Sequence, residues 1–375
     1  MTLPVGVARL PRVRLPELDT PAVLIDRSRY EANLRRMAEC VRSNGLALRP
    51  HAKTHKSTTI GRRQIELGAI GLTVAKPEEA MVFWNAGFSP VFLAYPPIGD
   101  HKLERLRPAI EAGSLIVGLD DLWVARQLGE FATRIGAPDV PVMFETDVGM
   151  GRTGLAYGGV AARAAVEVGR IKGLRLAGIY AHEGHAHAAG RAHLREVAAE
   201  VSGRLVATAQ LIRAAGQSCD VLSAGTCLTA WHMSRDDGLT EVRPGTYVFN
   251  DVRTVVDGGA EWDQCAVTIL ATVISRPDAA RFVIDAGAKT LTTAYDENYG
   301  FGLVLGIKGA RLARLSEEHG VVTLEDSSVD VRVGDRVSVI PIHVCVAVNM
   351  QHELHMVEGD QILDTVCVDA GLMTH

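Results

Sequence analysis

Between about residues 20 and 255, short apolar or β-branched runs alternate with longer stretches whose apolar residues recur every three or four positions. The short runs are AVLID, ALRPH, GLTVA, VFLAY, LIVGLD, VPVMFETD, LAGIYAH, DVLSAG and EVRPGTYV. They read as strands, and the stretches between them, such as 30–44 and 193–215, read as helices. So regular an alternation implies a parallel sheet. Roughly eight repeats in about 240 residues match the length of a (β/α)8 TIM-like barrel. An open doubly wound sheet is the competing architecture. Against it, no G-x-G-x-x-G follows the first strand, and unusual polar residues recur at the ends of many strands rather than at one switch point.

After about residue 262 the texture changes. CAVTILATVISR, RFVIDAG, GVVTLED, DRVSVIPIHVCVAVNM, ELHMVEG and ILDTVCVD are β-rich and separated by Gly, Asp and Pro turns, which predicts a second, all-β domain. The expected division is an α/β barrel over 18–258 and a β-rich domain over 259–375, with the N-terminal segment 1–17 joined to the latter.

With 375 residues, 47% hydrophobic and 22% charged, the chain has the composition of a globular protein with a substantial core. A net charge of −5 carries no basic footprint, so nucleic acid is not an expected partner. No apolar run approaches the ~20 residues that would span a bilayer, so no membrane partner is expected. The six cysteines lack C-x-x-C spacing and the N-terminus lacks the order of a signal peptide, which leads to the expectation of a cytoplasmic protein with free thiols.

The stretch LRPHAKTHKS concentrates positive and proton-exchanging groups at the end of a predicted strand. A lysine just past the C-terminal end of a barrel strand points into the face where barrel active sites are built. Lys53, crowded by Arg49, His51, His55 and Lys56, is therefore a candidate for Schiff-base chemistry, because neighbouring cations ease loss of its proton. The competing reading is a solvated basic loop. Other strand ends bear on the choice. ETDVGMGRTG brings Asp147 and Arg152 with glycines that let backbone approach a ligand, and YAHEGHAHA brings His182, His185 and His187. SAGT and RPGTYVFND offer Ser223, Gly225, Thr226, Gly245 and Thr246, whose hydroxyls and exposed amides suit a phosphate. Two such turns beside a lysine loop describe a phosphorylated aldehyde, pyridoxal 5′-phosphate, held by Lys53. In the β domain, His343 and Cys345 at i, i+2 on a predicted strand project to one face. Imidazole plus thiolate is a soft donor pair that suits zinc over magnesium or calcium.

LDTPAVLID with RPHAKTHKS, TVAKPEEA, DVGMGRTG, HEGHA, RPGTYVFND, VIDAGAKTL and HVCVAVNM resembles the fold-type III pyridoxal-phosphate enzymes, in the D-threonine aldolase and D-serine dehydratase branch related to alanine racemase. The match runs in order over 18–350. The resemblance implies an alanine racemase-like fold with Lys53, not Lys56, as the cofactor lysine. It further implies Arg152 on the cofactor's phenolic oxygen, His182 against its ring, and Gly225, Thr226, Gly245 and Thr246 on its phosphate with Tyr247 nearby. His343 and Cys345 would bind a divalent metal, zinc or manganese. His51, His185 and His187 are the candidate catalytic histidines, with His185 or His187 as the base.

The resemblance also implies a homodimer in which one subunit's β domain closes over its partner's barrel, bringing the metal pair to the lysine loop. Family members often carry Asn before the metal histidine. Ile342 stands there, which predicts a missing hydrogen bond to that imidazole. The implied activity is that of a lyase on D-configured β-hydroxy-α-amino acids, first by retro-aldol cleavage to glycine and an aldehyde. The alternative is dehydration of D-serine or 3-hydroxy-D-aspartate, because dehydratases of the branch show H-x-C where the aldolases show H-x-D. A racemase and a non-enzymatic cofactor carrier are the remaining readings.

Overall fold

The computed structural model describes residues 15–375. Eight short parallel strands follow one another in the order Ala47–Leu48, Glu241–Val242, Val221–Ala224, Leu174–Tyr180, Val140–Asp147, Leu115–Leu119, Val91–Leu93 and Leu72–Val74. A parallel bridge from His51 to Thr73 joins the two ends of that order, so the sheet curls round on itself. Leu72–Val74 and Val91–Leu93 are wholly buried, as continuous apolar runs in a parallel sheet should be. The long helices lie outside the sheet. In Arg27–Ser43 the buried face is Tyr30, Asn33, Leu34, Met37 and Val41, and Asp26 caps the start by accepting the Arg29 amide at 2.9 Å.

The C-terminal part forms a separate, mostly antiparallel sheet built on Val267–Asp278, which pairs with Arg281–Ile284 and Arg336–Pro341. Three expectations are corrected here. AVLID is not the first barrel strand: Ala22–Asp26 pairs antiparallel with Val267–Asp278 and parallel with Glu353–Glu358, inside the second sheet. That explains why nine strand candidates compete for eight barrel positions. Only Glu241–Val242 of EVRPGTYV is extended, because Pro244 has no amide for a ladder and the chain turns into the short helix Thr246–Val248. HVCVAV is not a strand: Val344–Asn349 is helical, and His343 is the extended residue that caps it. Of the segment 1–17, residues 1–14 lie outside the described residues. Leu15 hydrogen-bonds to the Asp360 carbonyl of the second sheet at 3.0 Å.

The lysine loop is pinned from three directions. Lys56, one of four non-glycine residues with positive φ among the described residues, forms a buried 2.9 Å ion pair with Glu79. Its carbonyl accepts the Ala370 amide and its amine reaches the Met373 carbonyl, tying the segment after the last strand to the loop. His55 is buried, accepts the Ser57 amide at its Nδ1 and bonds Gln64 Oε1 at 3.1 Å, and Gln64 in turn donates to the Tyr247 hydroxyl at 2.9 Å.

Two consequences are measurable. Replacing Glu79 with Ala leaves the Lys56 ammonium buried and unpaired, and denaturant unfolding should show a loss of about 3–5 kcal/mol; a loss under ~1 kcal/mol contradicts the pairing. Burial pushes the His55 pKa down to about 4, against the raising effect of its bond to Gln64. A group whose folded pKa lies below its unfolded one contributes stability that is complete above about pH 6.5 and is lost as pH falls toward 4. Unfolding free energy should therefore drop by about 2 kcal/mol between pH 7 and pH 5 on account of His55. His55→Gln should be less pH-dependent by that amount, and an unchanged slope would count against it.

Candidate active site

A cavity of about 260 Å³ opens at the C-terminal ends of the barrel strands, near the lower end of the ~300–1,000 Å³ usual for small-ligand sites. His51, Lys53, His182, His187, Gly225, Thr226, Gly245, Thr246, His343 and Cys345 all line it. Residues drawn from five separate sequence stretches thus meet in one place. Arg152, His185, Ser223 and Tyr247 are not in its lining.

The positive charges of LRPHAKTHKS do not act together. Arg49 turns into the barrel and pairs with Glu241, Nε to Oε2, at 3.0 Å. Glu241 Oε1 accepts the Ser223 hydroxyl at 2.7 Å, and that hydroxyl accepts from Arg243 Nη1 at 2.5 Å. Arg243 Nη2 donates to the Ala181 carbonyl at 2.7 Å, and its guanidinium lies over the Tyr180 ring. With Lys56 held by Glu79, the amine of Lys53 is left with no hydrogen-bond or ion-pair partner among the described residues. Desolvation first, then the Lys53 charge, hold the neighbouring imidazoles neutral: His182 is pushed down to about 2 and His51 well below its ordinary value.

Of the two expected phosphate turns, one is open and one is in use. The Thr226 amide donates to Glu183 Oε1 at 2.5 Å and to Thr229 Oγ1 at 3.0 Å, so a carboxylate already occupies that turn. The Thr246 amide has no acceptor among the described residues. At Gly245 a Cβ would stand 3.0 Å from the His51 carbonyl, so only glycine lets this turn approach the lysine loop. Ser223 is consumed by the network beneath the site, and Tyr247 points into the core toward Gln64 rather than toward a phosphate. An unpaired lysine amine, an open turn and the fixed Arg243 cation together fit a phosphorylated aldehyde, with Gly245–Thr246 as its anion-binding turn.

Arg152 is half-exposed at the rim, 3.6 Å from Glu145. The glycines around it serve the chain itself. Gly154, at φ +89°, packs so closely on its own strand that a Cβ would meet the Asp147 amide nitrogen at 2.8 Å, and Asp147 accepts the Gly149, Met150 and Gly151 amides. His185 lies outside the cavity with a buried, unpartnered Nδ1. His187 bonds Asp257 Oδ2 through Nδ1 at 2.5 Å, leaving Nε2 as its free ring nitrogen in the cavity lining.

His343 and Cys345 reach the lysine loop within a single chain, so no partner subunit is needed to bring them there: Cys345 Sγ lies 3.2 Å from Thr54 Oγ1 and 3.6 Å from Thr246 Oγ1. The hydrogen bond expected to be missing at His343 is supplied from elsewhere. Buried Asp251 bonds His343 Nδ1 at 3.2 Å, and its same oxygen accepts the Val344 amide at 2.9 Å, an arrangement that orients a ligating imidazole. Cys345 first, then Asp251, raise the His343 pKa to about 11. The Cys345 thiol is lowered by His343 against the opposing effect of burial. Among the described residues no third His, Cys, Asp or Glu converges with the pair. The donors fit a soft divalent ion whose remaining positions are open.

Glu183, Arg243, Asp251, Arg253 and Asp257 carry this geometry and escape a reading of motifs. Arg243 stands at a strand end just as Lys53 does, and Asp251 precedes a short helical pattern as an N-cap should. Those were the available signals.

Comparison with known proteins places the two halves. Residues 25–252 match the model of the alanine racemase N-terminal domain, and 266–357 match that of a serine dehydratase domain. D-threonine aldolase of Arthrobacter sp is 31% identical over 93% of this chain and 92% of its own length. D-threo-3-hydroxyaspartate dehydratase of Delftia sp. (strain HT23) is 31% identical over 88% and 91%. The crystal structure of D-threonine aldolase from Filomicrobium marinum superposes with a TM-score of 0.88 at 29% identity, over 97% of this chain and 99% of that one. No helix among the described residues is long and apolar enough to cross a membrane. Barrel and second sheet agree with these matches, and the chain belongs to the alanine racemase-like, fold-type III pyridoxal-phosphate family, in its D-threonine aldolase and D-serine dehydratase branch.

Proposed function

We propose that the protein is a pyridoxal 5′-phosphate- and divalent-metal-dependent lyase that cleaves the Cα–Cβ bond of D-configured β-hydroxy-α-amino acids, giving glycine and an aldehyde. The observation that carries this is Lys53, whose amine alone among the cations of its loop is left uncommitted in a cavity with an open anion-binding turn. When bound, the cofactor supplies an electron-accepting ring for the pair left on Cα as a bond there breaks. Lys53 is its attachment point, and the Gly245–Thr246 turn its phosphate site. Arg243 stays in place because both terminal nitrogens have acceptors. His182 and His51, held neutral, add no cation of their own to the site.

His187 would take the proton of the β-hydroxyl. Its Nδ1 is fixed on Asp257, which sets the tautomer and leaves Nε2 to act as base. His343 and Cys345 would hold the metal, zinc or manganese, which polarises that hydroxyl. The specific observation for a second reading, β-elimination to a 2-oxo acid and ammonia, is Cys345 itself. Solved variants of D-threo-3-hydroxyaspartate dehydratase, 28% and 29% identical to this chain, replace a histidine and a cysteine two positions apart, and the cysteine variant is described as metal-free. In that reading Lys53 takes the α-proton and hydroxide leaves Cβ. A cytoplasmic setting fits six cysteines that form no disulfide. The homodimer stays part of the proposal on the strength of the resemblance alone.

Metal-replete protein incubated with D-threonine should release glycine and acetaldehyde; 2-oxobutanoate and ammonia instead would replace the aldol reading with elimination, and neither product would refute both. Cys345→Ala should keep the cofactor's visible absorbance while metal content, read by plasma emission, and turnover fall together. Full turnover without metal contradicts the role of the pair.

A further inference from the structure

One cation in the cavity lining has no task in the reaction described above. Arg253 lies in the short helix Val252–Val256, whose cap is Asp251. Because Asp251 also holds His343, and the Arg253 amide donates to the Ile342 carbonyl at 3.2 Å, the helix is fixed to the His343 end of the cavity. The Arg253 side chain is 45% exposed at the mouth. Its Nε is engaged by Asp257 Oδ2 at 2.7 Å, the same oxygen that holds His187, while its two terminal nitrogens have no partner among the described residues. A guanidinium anchored through Nε with its terminal nitrogens free presents the planar pair of donors that matches a carboxylate.

Resting on the lyase reading, in which the hydroxyl-bearing carbon lies toward His343 and Cys345, we propose that Arg253 binds a carboxylate at the end of the substrate side chain, making β-hydroxy-D-amino dicarboxylates the preferred substrate class. Groups attached to Cβ project toward the end of the cavity that bears Arg253. Arg243 also lines the cavity, but Ser223 and Ala181 each take one N–H of its terminal nitrogens and hold it in place, so its paired donors are not both free as those of Arg253 are. Asp257 serves both functions at once by aligning the base His187 and the anchor Arg253. A side chain ending in a methyl group or a hydrogen gains nothing from the cation.

The test is a titration of the holoenzyme with D-aspartate and with D-alanine, followed through the cofactor's visible band. Both ligands carry the α-carboxylate, only D-aspartate carries the distal one, and neither has a β-hydroxyl, so the readout is binding rather than turnover. A charge-assisted contact predicts that wild type binds D-aspartate at least about tenfold more tightly than D-alanine. Arg253→Gln should reduce that ratio roughly tenfold, and Arg253→Lys should retain part of it. Equal weakening of both ligands in Arg253→Gln would move the residue to the α-carboxylate or to the frame of the site and overturn the assignment, as would an unchanged ratio. A wild-type band that responds to neither amino acid overturns the lyase reading itself, and the subsite with it.

Discussion

The buried chain of polar contacts from Arg49 through Glu241 and Ser223 to Arg243 is the constraint on which the site depends. It crosses three adjacent barrel strand ends and neutralises one arginine of the lysine loop while aiming the other arginine at the cavity. Buried charge is costly unless paired and hydrogen-bonded. Arg49 by Glu241 and Lys56 by Glu79 meet that condition, while half-buried Lys53 has no such partner among the described residues. A loop that begins as a cluster of cations thus resolves into two structural pairs and one unpaired amine.

A second chain of contacts joins the two sheets. Asp251 caps a helix of the barrel side and bonds His343 of the β-rich part, while Asp257, at the end of that helix, gathers Arg253 and His187. Two carboxylates six positions apart thereby fix the His343 and His187 imidazoles and the Arg253 guanidinium relative to one another. The Ala22–Asp26 strand reinforces the same junction, since it enters the β-rich sheet and then leads directly into the Arg27–Ser43 helix on the barrel.

The alternation of apolar runs and helical periodicity carried the barrel, because a strand buried on both faces must be apolar along its length. It did not say which sheet a strand joins: Ala22–Asp26 has the same composition as a barrel strand, and its partners lie some 245 and 330 positions away in sequence. The helix at Val344–Asn349 ran against local preference, since three valines favour a strand and packing overrode them. That Lys53, His182, Gly245 and the His343–Cys345 pair line one cavity could be anticipated because their chemistry is rare at strand ends. The places of Asp251, Asp257 and Arg253 could not be, because an acidic cap or an exposed arginine looks ordinary until its distant partner is known. A turn rich in hydroxyls and amides reads alike whether it waits for a ligand or is already hydrogen-bonded, as the Thr226 amide is to Glu183 and the Tyr247 hydroxyl is to Gln64.

The most direct test of the unpaired amine is chemical. Borohydride reduction of the cofactor-loaded protein, followed by proteolysis and mass mapping, fixes the cofactor to whichever lysine holds it. A pyridoxyl mass on Lys53, with Lys56 unmodified, is the predicted result. Label on Lys56, on another lysine, or on none contradicts the assignment of Lys53 and the charge arrangement that singles it out.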